Sequence, residues 1–102
     1  MSVLHIVNKS PYDRNSLDAC LRLARPDSAI LLIEDGIYAS LKNAAASERV
    51  QQALNNHQIY ALQADLQARG INPDSMIDGI SLVDYDGFVK LTTDYDKSQS
   101  WL

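Results

Sequence analysis

The chain is poor in several residue types at once. Its 102 residues include 1 Cys, 1 Trp, 1 Phe, 3 Pro and 4 Gly, and its 9 Lys and Arg are outnumbered by 13 Asp and Glu. The single thiol, Cys20, excludes an intramolecular disulfide, a Cys-x-x-Cys redox pair and a zinc site built on several thiolates. Any redox chemistry at Cys20 must therefore involve a partner or a small molecule. The few basic residues are scattered from Lys9 to Lys97 without adjoining, so no clustered cationic surface is available for nucleic-acid phosphates. Apolar runs are short. The longest, residues 29–33, falls far below the roughly 18 residues of a membrane span. The N-terminus passes straight into Val3-Leu4-His5-Ile6-Val7 with no cationic region before it, which argues against a secretory signal and for a cytoplasmic protein with a reduced thiol. Gly36, Gly70, Gly79 and Gly87 are isolated, so no glycine-rich phosphate loop exists.

What is present is an ordinary globular composition, 46% hydrophobic and 22% charged, with length for one domain spanning residues 1–102. Short apolar runs alternate with helical patterns. Strands are expected at residues 3–8, 29–33, 58–62 and 80–83. Helices are expected at 15–24, where Leu17, Cys20, Leu21 and Ala24 share a face, at 35–44, at 47–54, and briefly at 65–69 before Gly70. A last helix starts near Asp84 or Asp86 and carries Phe88, Leu91 and Tyr95 along one side, and residues 97–102 read as a tail. The second run is apolar without alternation, as in a strand covered on both faces. The alternation predicts an α/β domain of three layers, with a mostly parallel sheet of about four strands between helices.

In such a sheet, ligands collect at the carboxyl ends of the strands. Four segments should gather there: Asn8-Lys9-Ser10, Glu34-Asp35-Gly36, Gln63-Ala64-Asp65 and Asp84-Tyr85-Asp86. Acids after strands serve first as caps for the helices that follow, whose N-termini favour negative charge. The sharper reading, a small metal-dependent enzyme using Glu34, Asp35, Asp65 and Asp84, lacks a second half. Too few residues follow Asp86 to complete a phosphoryl-transfer pocket, and Asn8-Lys9 stands where a receiver domain places its acidic pair. No metal or other cofactor is therefore expected. His5 lies inside the first strand as a core or half-buried histidine, His57 reads as solvated, and neither is tied to a nucleophile.

Cys20 supports two readings. On the apolar stripe of the first helix it is a small hydrophobe facing the sheet. In the first turns of a helix, with Arg14 and Arg22 near in sequence, it is also a candidate thiolate. The C-terminus is the other unusual feature. Trp101-Leu102 follow the polar Lys97-Ser98-Gln99-Ser100, and an apolar pair there gains nothing from water, so it should dock on its own domain or on a partner. Together with Tyr38 and Tyr85, amphipathic rings that suit interfaces, Trp101 and Leu102 are the expected contact residues.

Taken in order, Leu4-His5-Ile6-Val7-Asn8-Lys9-Ser10-Pro11, Arg14-Asn15-Ser16-Leu17, Leu31-Leu32-Ile33-Glu34-Asp35-Gly36-Ile37-Tyr38-Ala39, Tyr60-Ala61-Leu62, Ala68-Arg69-Gly70, Val83-Asp84-Tyr85-Asp86-Gly87-Phe88-Val89-Lys90-Leu91-Thr92 and Gln99-Ser100-Trp101-Leu102 resemble the DsrH/TusB family of sulfur-relay proteins. The resemblance covers the whole chain except residues 42–58. It implies a small α/β subunit that assembles with two homologous subunits, of DsrE/TusD and DsrF/TusC type, into a cytoplasmic 2:2:2 heterohexamer. Such complexes take persulfide sulfur from a small donor protein and pass it to an acceptor, serving 2-thiolation of the tRNA wobble uridine or, in the related branch, sulfur oxidation. The principal sulfur-accepting cysteine belongs to another subunit. This subunit is then a structural partner, with no independent activity expected and no direct contact with nucleic acid or membrane. A cysteine in the setting Ser16-Leu17-Asp18-Ala19-Cys20-Leu21 resembles the DsrH type, where it is a proposed second sulfur site. Some members of the tRNA branch lack it.

Overall fold

The structure is a computed structural model and describes residues 2–101. Five strands form one sheet: β1 (Val3–Val7), β2 (Ala29–Leu32), β3 (Gln58–Leu62), β4 (Ser81–Val83) and β5 (Lys97–Trp101). All pairings are parallel, in the order β4-β3-β2-β1-β5. The α/β class and the parallel sheet match the sequence reading, with one strand more than the four expected. The added strand is the supposed tail. Its run Lys97-Ser98-Gln99-Ser100 is exposed and polar because β5 is an edge strand, so it carries no apolar signature. Register fixes it nonetheless: Val3 pairs with Lys97, His5 with Gln99 and Val7 with Trp101.

Four α-helices fill the connections: α1 (Ser16–Leu23), α2 (Ser47–Ala53), α3 (Gln63–Ala68) and α4 (Tyr85–Asp94). From β1 to β4 the chain steps across the sheet in one direction, then returns past β1 to place β5. Right-handed crossovers put the first three connections on one face and the returning one on the other. Two core clusters follow from this. The larger holds Val7, Leu17, Cys20, Ile30, Leu32, Ile37, Val50, Ile59, Leu66 and Ile77 under α1, α2 and α3. The smaller holds Leu4, Ala29, Leu31 and Leu91, with Ile6, Ile33, Tyr60, Val83, Phe88 and Tyr95 packed against it, under α4 alone. All four β2 residues are buried, as the unbroken apolar run requires of a strand covered on both sides.

The expected helix over 35–44 is a 3-10 segment, Glu34–Ser40. A Cβ on Gly36 would stand 2.1 Å from the Val7 carbonyl oxygen, so this turn is pressed onto the end of β1 where only glycine fits. The Ser40 hydroxyl then donates to the Ile37 carbonyl at 2.6 Å. Leu41 turns extended and bridges to Met76. Ser47 restarts the helix: its hydroxyl accepts from the Ala44 N–H and donates to the Leu41 carbonyl, both at 2.8 Å. Gly70, at φ +66°, closes α3 in the left-handed conformation expected of it.

Candidate functional site

Of Glu34, Asp35, Asp65 and Asp84, the last three have carboxylates that accept hydrogen bonds within the fold. Asp65, at the start of α3, accepts the Glu34 N–H at 2.7 Å and so caps the 3-10 segment opposite. Asp84 accepts the Gly87 N–H at 2.7 Å and caps α4. Asp35 takes two hydrogen bonds from the Arg69 guanidinium, at 3.2 and 2.9 Å, while another Arg69 nitrogen donates to the Asp65 carbonyl at 3.2 Å. Arg69 thus ties β2's exit to α3. Glu34 holds a positive φ of 49°, a local strain these contacts sustain. Among the described residues, no group of three or more His, Cys, Asp or Glu side chains could hold a metal ion. At the end of β1, Asn8 Oδ1 is buried with no hydrogen-bond partner among the described residues. The sequence placed Asn8 in this group of segments, but nothing in it signals an unpaired oxygen.

Cys20 is fully buried, turned from α1 into the core beside Val7, Leu17 and Ile30. It sits in the second half of this eight-residue helix, and its carbonyl accepts the Ala24 N–H at 2.7 Å, so the positive helix end is not beside the sulfur. Burial pushes its thiol up to about 12. Arg14 and Arg22 are exposed and provide no offsetting charge in the core. The sequence argument for a thiolate gave weight to nearby cations and the helix end; desolvation outweighs both.

Trp101 docks on its own domain. Its indole N–H donates to His5 Nδ1 at 3.0 Å, with ring centroids 5.9 Å apart. An indole can only donate, so His5 Nδ1 must be bare and the neutral ring carries its proton on Nε2. Burial, and then the charge of His57, lower the pKa of His5 below its ordinary value, which keeps that acceptor free. His57 is half-buried rather than solvated. Its Nδ1 lies 3.0 Å from the Ser28 carbonyl, and the Ser28 hydroxyl donates to the Arg25 carbonyl at 2.6 Å. Leu102 lies outside the described residues.

The tyrosines divide by surroundings. Tyr60 and Tyr95 pack under α4, and the Tyr12 hydroxyl accepts the Ala46 N–H at 3.4 Å. Tyr38 is half-buried on the 3-10 segment. Tyr85 is 61% exposed, and Val89, one helical turn on, is 62% exposed. The two lie one turn apart on α4 and form an exposed apolar pair flanking the stripe of Phe88 and Leu91. Sequence periodicity found the inner stripe; Val89 was missed because one extra apolar residue on an amphipathic helix carries no separate signal.

The sequence profile described as "DsrH like protein" matches residues 9–98. The chain belongs to the DsrH family. Among its relatives, Protein TusB of Yersinia pestis (strain Pestoides F) is 37% identical over 100 residues, covering 97% of this chain and 100% of the relative. Protein TusB of Yersinia pseudotuberculosis serotype O:1b (strain IP 31758) gives the same figures. Among solved structures, the ychN protein from E. coli superposes with a TM-score of 0.84 at 22% identity, covering 99% of both chains. MTH1491 from Methanobacterium thermoautotrophicum, a protein of unknown function, superposes at 0.67 with 16% identity over 94% of this chain and 95% of its own. At those identities the structures speak for the fold alone.

Proposed function

We propose that this DsrH-family chain is a structural subunit of a sulfur-relay complex that serves thiolation of tRNA. It would assemble with two homologous subunits of DsrE/TusD and DsrF/TusC type in a 2:2:2 complex, which meets small donor and acceptor carrier proteins. The observation that carries this reading is the match to the DsrH profile over residues 9–98 and to TusB relatives over 97% of the chain. The burial of Cys20 supports a scaffolding rather than a carrier role.

Persulfide transfer needs an exposed thiolate. It attacks the outer sulfur of the donor's persulfide, a new S–S bond forms, the donor's S–S bond breaks, and the donor thiolate leaves. A thiol at about 12, enclosed by Val7, Leu17 and Ile30, meets none of these needs at rest. One observation favours the second reading, in which Cys20 is a secondary carrier. α1 is short and its N-cap, Asn15, makes no side-chain cap hydrogen bond, so the helix that holds the thiol is weakly anchored at its start. In that reading the chain serves either tRNA thiolation or the related sulfur-oxidation branch.

Mixing the chain with the two homologous subunits and measuring mass tests the assembly; failure to form a mixed species would overturn it. Loading that complex from a persulfide donor and weighing each chain separates the two roles of Cys20. The scaffold reading expects no added sulfur atom on this chain and unchanged sulfur flux in Cys20→Ala. A sulfur increment here, lost in Cys20→Ala, would establish the carrier.

A further inference from the structure

At the amino ends of the strands, away from the acids and from Cys20, a cleft of about 560 Å³ opens between the end of α1 and the β1–β5 part of the sheet. That volume lies within the range of small-molecule sites. Val3 and Leu23 give it apolar walls, His5 and Gln99 line it from the sheet, and Arg25 and Asp27 stand on the loop that leaves α1. Nothing derived above uses it.

Its polar groups are of opposite kinds and are placed with some constraint. His5 is 5% exposed, and its Nδ1 is committed to the Trp101 indole, so what it offers a ligand is a neutral Nε2–H donor. Arg25 adds a cation; among the described residues it has no ion-pair partner. Asp27 adds an anion, and Leu23, the last residue of α1, also lines the cleft, so the negative end of the helix is close by. A purely anionic ligand would meet Asp27 and the helix end, and a purely cationic one would meet Arg25. The side chains of Leu23, 62% exposed, and Val3 call for an aliphatic group.

We propose that this cleft binds a free α-amino acid with an aliphatic side chain. Its carboxylate faces Arg25 and the His5 N–H, its ammonium faces Asp27 and the end of α1, and its side chain covers Leu23 and Val3. The proposal is independent of the sulfur-relay reading. Trp101, the only tryptophan, sits on the far side of His5 and reports on the site.

The test uses the full chain and follows the Trp101 indole resonance while L-leucine, 4-methylpentanoate or isoamylamine is added. The last two are leucine without its ammonium and without its carboxylate. Leucine is expected to give a saturable shift, with each analogue at least 10-fold weaker. Asp27 has φ +75°, a conformation asparagine tolerates well, so Asp27→Asn preserves the loop while removing the charge. It and the exposed Arg25→Gln should each weaken leucine at least 10-fold with an unchanged circular dichroism spectrum. A shift that does not saturate, analogues that match leucine, or charge variants that bind as well as the parent would overturn the proposal.

Discussion

At the residue scale, Cys20 and His5 show how burial sets protonation, with opposite signs. A cysteine in the unfolded chain ionises near its ordinary value of 9.0, whereas the folded Cys20 holds its proton up to about 12. Above pH 9 the unfolded state binds fewer protons than the native one, so stability falls as pH rises, by up to about 1.4 kcal/mol per unit, until the folded thiol also ionises. Urea titrations between roughly pH 8 and 11 should show this decline in the parent and a smaller one in Cys20→Ala. Equal slopes would mean that other groups dominate. His5 works the other way. Its pKa is lowered, by burial first and then by His57, so the unfolded state takes the extra proton as pH drops below about 6.5. The contribution is present above that value and is lost as pH falls through the folded value. Protonating Nδ1 also sets two donors face to face at Trp101. The fluorescence of this single tryptophan should therefore change in a step below pH 6.5, and the step should vanish in His5→Phe.

At the element scale, the start of α4 is where sequence and structure agree most closely. Asp84 followed by the Phe88 and Leu91 stripe marks α4 in the sequence, and the carboxylate does cap it. Asp84→Ala should cost about 1 kcal/mol by urea unfolding, the usual loss for an N-cap. A cost near zero would show that packing by Leu91 alone holds the helix. Alternation and unbroken apolar runs made β1 to β4 legible because each has a face or two in the core. Two elements escaped. β5 contributes mainly backbone hydrogen bonds and one apolar side chain, so its polar run resembles a tail. The 3-10 segment escaped because its shape answers to the Val7 carbonyl pressed against Gly36, a neighbour that is distant along the chain. Asp84 caps the helix that follows it, as its sequence setting suggests, whereas Asp65 serves the segment opposite and Asp35 pairs with Arg69. Neither of those partners nor the Trp101–His5 bond was legible, since they join residues 31, 34 and 96 apart.

At the scale of the whole molecule, the layers are unequal. Three helices and the 3-10 segment cover one face of the sheet, and α4 alone covers the other. The outward Tyr85 and Val89 lie on that thinly covered side, exposed in the single chain. Charge introduced there should spare the fold and disturb assembly with the homologous subunits. Val89→Glu is expected to leave thermal unfolding of the isolated chain within about 0.5 kcal/mol, as for an ordinary surface change. It should weaken formation of the mixed complex at least tenfold, read by sedimentation. Unimpaired assembly would place the contact elsewhere. The described helices leave the membrane question where the short apolar runs put it: none is long and apolar enough to cross a bilayer.

The position of β5 has a consequence for biosynthesis. It pairs with β1, and Ser2 and Asp96 exchange backbone-to-side-chain hydrogen bonds across 94 positions. A nascent chain emerging from the ribosome can add β2 to β1, then β3 to β2 and β4 to β3, but the other flank of β1 stays bare until β5 is released. Contacts of such long separation also form slowly. During that interval the apolar Val3–Val7 backbone is open to strand pairing with other chains. Translation that stalls before residue 97 would leave this flank uncovered in an otherwise nearly complete sheet.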